Sequence, residues 1–177
     1  MTTIRLQPDD ARLAALAVVY HLGRPGSELD AATLQRHEAG LGPLQQVIEG
    51  QLGLAVTTLD VTAYQLARLG EALLGTVNEL KQYELSEGRS VVPGFADAFA
   101  RLFPAHASEE GGALDLASQG VMLRRRLDNA VREATAQVEA ARAAEAERAA
   151  AGGAPSGEAG GAERRSLWQR LWRRRSG

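Results

Sequence analysis

Cysteine is absent from this 177-residue chain. That excludes disulfide frameworks, thiolate metal sites and cysteine nucleophiles together. Aromatic residues make up only 5% of it, so a core has to rest on Leu, Val and Ala, a palette that favours helices over sheets. Lysine occurs once, at Lys81, and the remaining basic charge is arginine. No stretch approaches the roughly 18 unbroken apolar residues that a spanning helix needs. Residues 1–10 lack the charged start and apolar run of a signal peptide. A cytoplasmic protein is expected, peripheral at most to the inner face of a membrane.

The short motifs of common chemistries are missing too. There is no GxxxxGK[ST] or GxGxxG phosphate loop and no GxSxG elbow. His21, His37 and His106 each stand alone, without a second His or a carboxylate at the spacing of a zinc helix. His37 and Glu38 meeting Glu49 or Asp60 in space is the one acid–base or metal grouping the sequence offers. A structural role for His21 near a helix C-terminus is sufficient. The expectation is a non-enzyme: no catalytic residues, no metal and no cofactor.

What is present is helical periodicity. Thr2 to Leu6 reads as an extended stretch, and Pro8-Asp9-Asp10 suits a helix first turn. The helix that follows, to about Leu22, is apolar or small nearly all round and is expected to be buried. Ser27 can cap a short helix to about Glu38, and Pro43 opens a third with Leu44, Val47, Ile48 and Leu52 on one face. A β-leaning run, Leu54 to Leu59, leads to Asp60 as a cap. From about Val61 to Leu85, Leu66, Leu69, Leu73, Val77 and Leu80 mark a long amphipathic helix. Its Gly70 and Gly75 suggest close approach of a neighbouring helix.

A faint internal echo joins the first and fourth of these segments. Ile4-Arg5-Leu6 before Leu13-Ala14-Ala15-Leu16 resembles Thr57-Thr58-Leu59 before Leu66-Ala67-Arg68-Leu69. Two copies of a strand–turn–helix unit would place their strands side by side as a two-stranded ribbon; chance similarity of Leu/Ala-rich helices is the alternative. Phe95, Phe99 and Phe103 form a stripe on a short helix closed by Pro104, either shutting the core or lining a groove for a partner helix. Ala105 to Gly112 reads as a polar loop. A long helix then begins near Leu114 with a stripe of Leu116, Leu123, Leu127, Val131 and Val138. The Arg124-Arg125-Arg126 run is expected to be solvated or paired with Asp128 and Glu133. The stripes at 61–85 and 114–138 serve as core, or as coiled-coil-like seams in a homo-oligomer.

The last 27 residues differ in kind. Residues 151–177 carry a net charge of +4, leaving −6 for residues 1–150 within the total of −2. Such a split marks an interaction tail. Residues 152–161 are a Gly/Ala/Ser/Pro linker with a reach of roughly 15–20 Å. Beyond it come Arg164, Arg165, Leu167, Trp168, Arg170, Leu171, Trp172, Arg173, Arg174 and Arg175, and both tryptophans of the protein are among them. At 100° per residue, Leu167, Trp168, Leu171 and Trp172 share an arc of about 140°, with Arg170, Arg173 and Arg174 outside it.

Isolated helices under about 12 residues are marginal in water, so this segment is expected to fold only as it binds. Trp favours the headgroup zone, and Arg favours anionic lipid at about 1 kcal/mol per charge. Residues Arg164 to Arg175 are similar to the short C-terminal membrane-targeting helices of bacterial division-site proteins, which also follow flexible linkers. That resemblance implies an anchoring mode and nothing about activity, since residues 1–150 carry none of those proteins' nucleotide-binding motifs.

The sequence thus predicts a mainly α protein: a bundle-like domain of about five helices with a short two-stranded ribbon over 1–138, and a solvated helical extension over 139–151. A flexible linker over 152–163 and an amphipathic peptide over 164–177 follow. The function expected is a non-enzymatic adaptor or scaffold at an anionic membrane surface. The alternative is a cargo or accessory protein whose peptide docks in a groove of a partner or shell. Nucleic acid is disfavoured, because the acidic body would be repelled by a duplex.

Overall fold

The structure is a computed structural model and describes residues 1–24 and 40–152. The chain divides into two units, Met1–Thr135 and Ala136–Gly177. The element order among the described residues is β1 (Thr2–Leu6), α1 (Pro8–Gly23), α2 (Gly42–Gln51), β2 (Thr57–Val61), α3 (Ala63–Leu85), α4 (Phe95–Leu102), α5 (Pro104–Ser108) and α6 (Gly112–Gly152). The fold is mainly α, with one two-stranded antiparallel ribbon, as composition and periodicity predict. The helix expected from Ser27 to Glu38 lies outside the described residues.

The strand–turn–helix unit occurs twice, and its two strands pair as the expected ribbon. β1 pairs with β2 from Thr2↔Val61 to Leu6↔Thr57, with Ile4 facing Leu59 at the centre. In each unit a single residue separates the strand from its helix: Gln7 before Pro8, and Thr62 before Ala63. The two strands and the two helices begin 55 residues apart. The same spacing matches buried positions: Ala11 with Leu66, Ala14 with Leu69, Ala17 with Ala72, Val18 with Leu73 and His21 with Thr76. Exchanging the units maps the strand register onto itself. The Leu/Ala pattern alone aligns the copies two residues out, because strand ends and caps set the alignment and the helical leucines do not.

The boundary between β2 and α3 also differs from expectation. Asp60 lies within the strand opposite Thr3, and Thr62 is the N-cap. Its hydroxyl accepts from Gln65 N–H at 3.1 Å, while Gln65 Oε1 accepts from Thr62 N–H at 3.0 Å, a complete capping box. Leu54 and Val56, expected in a strand, are exposed in the turn before it, because Gly53 at φ +98° bends the chain before pairing begins.

Helix α1 is buried over Leu13–Val18, as its all-round apolar character predicts. The α3 stripe Leu66, Leu69, Leu73, Val77 and Leu80 is buried against it and against the first half of α6, where Leu116, Leu123 and Leu127 are buried. Both stripes therefore serve as core within Met1–Thr135. The α6 stripe ends at Ala134; Val138 is 52% exposed, since nothing apolar on its face continues the seam. Side chains from Ala136 to Ala149 are nearly all exposed.

Of the two glycines singled out on α3, one fits the close-approach expectation. A Cβ at Gly75 would run into the Tyr20 ring, whereas at Gly70 it would meet only Asp128 Oδ1 at 3.5 Å. Phe95, Phe99 and Phe103 all face the core. Phe95 stands edge-on to Tyr20 and Phe99 to Tyr83, at centroid distances of 6.2 and 5.2 Å. The polar segment after them is not a plain loop. Pro104, with its φ already helical, starts the short α5, and Ser108 Oγ donates back to the Ala105 carbonyl at 2.9 Å.

Candidate functional site

The terminal segment Arg164, Arg165, Leu167, Trp168, Arg170, Leu171, Trp172, Arg173, Arg174 and Arg175 lies outside the described residues, as does the linker before it from residue 153. So do His37 and Glu38 of the acid–base grouping. The other two members of that grouping have different partners. Glu49 takes Gln45 Nε2 at 3.2 Å and lies 4.0 Å from Arg101, and Asp60 accepts from Thr3 Oγ1 at 2.6 Å.

The arginine run on α6 is partly paired, as expected, though not with both acids predicted. Arg124 lies 3.8 Å from Asp128. Arg126 reaches Asp10 on the first turn of α1 at 2.5 Å, a partner 116 residues away that local spacing could not reveal. Arg125 is exposed.

Two polar groupings carry no signal in local sequence spacing. His21 is fully buried, with Nε2 3.5 Å from Arg68 Nη2, and Arg68 Nη1 also holds Glu71 at 3.1 Å. The contact crosses from α1 to α3, so it adds a polar tie to the apolar seam between these helices. Elsewhere, Tyr83, Glu84, Glu87, Phe99, His106 and Glu109 line a hollow of about 440 Å³. Glu84 is occupied, accepting the Gly111 N–H at 2.8 Å, and the His106 ring stands edge-on to Phe103. Among the described residues the hollow's groups do not form a hydrogen-bonded nucleophile–base pair, and no cluster of three or more His, Asp or Glu is placed to hold a metal ion.

The ribbon carries a sharper asymmetry. Gln51, the last residue of α2, presents its carboxamide to the outer edge of β2. Oε1 accepts from Thr58 N–H at 2.9 Å, and Nε2 donates to the Thr58 carbonyl at 3.1 Å. The side chain thus copies the backbone of a neighbouring strand. Both backbone groups of one residue point to the same side of its strand, so Thr58↔Arg5 is a non-hydrogen-bonded pair of the ladder. By alternation, Thr3 and Arg5 turn their N–H and C=O groups outward, along the edge of β1 away from β2, where no strand lies among the described residues. The side chains of Thr3, Arg5, Thr58 and Asp60 share the exposed face. No sequence signal marks Gln51 for this role; its contact crosses a turn and depends on where α2 ends.

No protein-family model, curated protein or solved structure matches this chain. No helix among the described residues is long and apolar enough to cross a membrane.

Proposed function

We propose that this chain is a non-enzymatic adaptor or scaffold, held at an anionic membrane surface by its last dozen residues. The observation that carries the proposal is compositional. Both tryptophans and six arginines fall within residues 164–175, beyond a linker without core residues. Leu167, Trp168, Leu171 and Trp172 would enter the headgroup boundary, and the flanking arginines would meet lipid phosphates. The net −6 of residues 1–150 would be repelled by the same surface, so attachment falls to the tail alone. One short anchor binds weakly and reversibly; two tails on one particle would bind far longer through their shared local concentration.

Co-sedimentation with vesicles tests this, comparing the full chain with a chain ending at Gly161. The full chain is expected to pellet with phosphatidylglycerol-containing vesicles at low salt, to be released as salt rises, and to stay in solution with phosphatidylcholine alone. The truncated chain is expected to stay in solution throughout. Failure of the full chain to pellet with the anionic vesicles overturns the proposal. In that case docking of the Trp/Leu face into a protein groove, which salt should affect less, becomes the better assignment of the tail.

A further inference from the structure

Among the described residues the two ribbon edges are unequal: β2 is closed by the Gln51 carboxamide, and the outward backbone groups of Thr3 and Arg5 on β1 have no strand beside them. We propose that the free edge of β1 is a self-association surface, on which β1 of a second copy pairs antiparallel to give a four-stranded sheet in the order β2-β1-β1-β2.

Register follows from which residues face outward. Pairing Arg5 with Arg5 would set like charges opposite each other, which is destabilising. Pairing Thr3 with Arg5 of the other copy, and Arg5 with its Thr3, centres the two-fold on Ile4. Each such pair exchanges both of its N–H···O bonds. On the exposed face this register builds the row Asp60, Thr3, Arg5 of the second copy, then that copy's Thr58, and the symmetric row beside it. Neighbouring strands lie about 4.8 Å apart, so Arg5 of one copy is about 10 Å from Asp60 of the other, a gap their side chains span together. Thr3, whose hydroxyl already binds Asp60 at 2.6 Å, lies between them.

The charges fit this use. Among the described residues Arg5 has no ion pair, and Asp60 has only the Thr3 hydroxyl. A charge on an edge normally guards it against strand addition. Here Arg5 excludes an indiscriminate strand and selects one that brings an acid to its row. The opposite face continues the core side of the ribbon, with Ile4 beside Ile4 and Leu6 beside Thr2. The helical stripes are taken up by the core as far as Ala134, since their residues there are buried within Met1–Thr135. The surface is independent of the terminal segment, though a dimer would supply the second anchor that the membrane reading favours.

Sedimentation equilibrium of the full chain without lipid tests the proposal separately from any membrane binding. The chain is expected to dimerise at micromolar concentration. Arg5→Pro removes one outward N–H while leaving the ladder to β2 intact, and is expected to leave a monomer. Arg5→Asp and Asp60→Arg are each expected to weaken dimerisation by about tenfold or more, and the double variant Arg5→Asp/Asp60→Arg to restore it, with helical circular dichroism unchanged. A chain monomeric at every concentration overturns the proposal. So does a dimer indifferent to Arg5→Asp and Asp60→Arg; capture of an extended peptide by the monomer would assign the edge to another protein.

Discussion

The carboxamide of Gln51 hydrogen-bonds both backbone groups of Thr58, seven residues on, at 2.9 and 3.1 Å. One side chain thereby ends the sheet on the β2 side and ties the end of α2 to the ribbon. Gln51→Met keeps the length of the side chain and removes both bonds. Because water can reach the freed edge, the expected cost is near the net value of ordinary hydrogen bonds, about 1 kcal/mol, read from urea unfolding followed by circular dichroism. Gln51→Glu retains the acceptor for Thr58 N–H but sets a carboxylate against its carbonyl, and should cost more than Gln51→Met.

The two glycines of α3 should respond oppositely to alanine. At Gly70 a methyl group meets only ordinary contact with Asp128, so Gly70→Ala should stabilise by up to about 1 kcal/mol through helix propensity. At Gly75 the methyl would occupy the Tyr20 ring and push it off Phe95. Overpacking of that kind costs about 1–3 kcal/mol, enough to outweigh the propensity gain. Thermal unfolding of the pair should show one midpoint raised and the other lowered.

The repeat makes a paired prediction at its caps. Thr62 caps α3 through its side chain, whereas the equivalent Gln7 makes no side-chain cap bond to α1 despite an extended backbone at φ −69°, ψ 162°. Thr62→Ala should cost about 1 kcal/mol, within the usual range for a lost cap. Gln7→Thr should gain up to a similar amount. Denaturant midpoints of the two variants would then shift in opposite directions with unchanged m-values.

Glu79 is 8% exposed and accepts from Ser90 Oγ at 2.6 Å. The bond pins the loop after α3 onto the helix face that packs in the core. Ser90→Ala leaves a buried carboxylate short of a donor, at a cost of about 1–3 kcal/mol. Replacing both partners, Ser90→Ala with Glu79→Met, should recover much of the loss, which a double-mutant cycle by urea denaturation would show.

The parts of the fold that rest on periodicity are legible in the sequence. The α3 stripe, the buried α1, the phenylalanine face and the Thr2–Leu6 strand are all written in local spacing. The β2 boundary is not. Thr57–Val61 is a strand because Thr2–Leu6 lies beside it, so Asp60 is paired where its residue type alone suggests a cap. The Arg126–Asp10 contact and the Gln51–Thr58 closure were hidden for the same reason, since each depends on how separate elements meet. Val138 misled in the other direction: helical spacing carried the stripe past Ala134, but burial needs an opposing surface, and there it ends. The terminal segment, Arg164 to Arg175, is legible only as composition, which groups its tryptophans and arginines without naming a surface.

Because Trp168 and Trp172 are the only tryptophans in the chain, intrinsic tryptophan fluorescence reports on that segment and nothing else. The free protein should emit as water-exposed indole, and titration with phosphatidylglycerol vesicles at low salt should shift the emission to shorter wavelength, reversibly with added salt and not with phosphatidylcholine. Emission already characteristic of buried indole before any vesicle is added, and unmoved by them, would contradict membrane tethering.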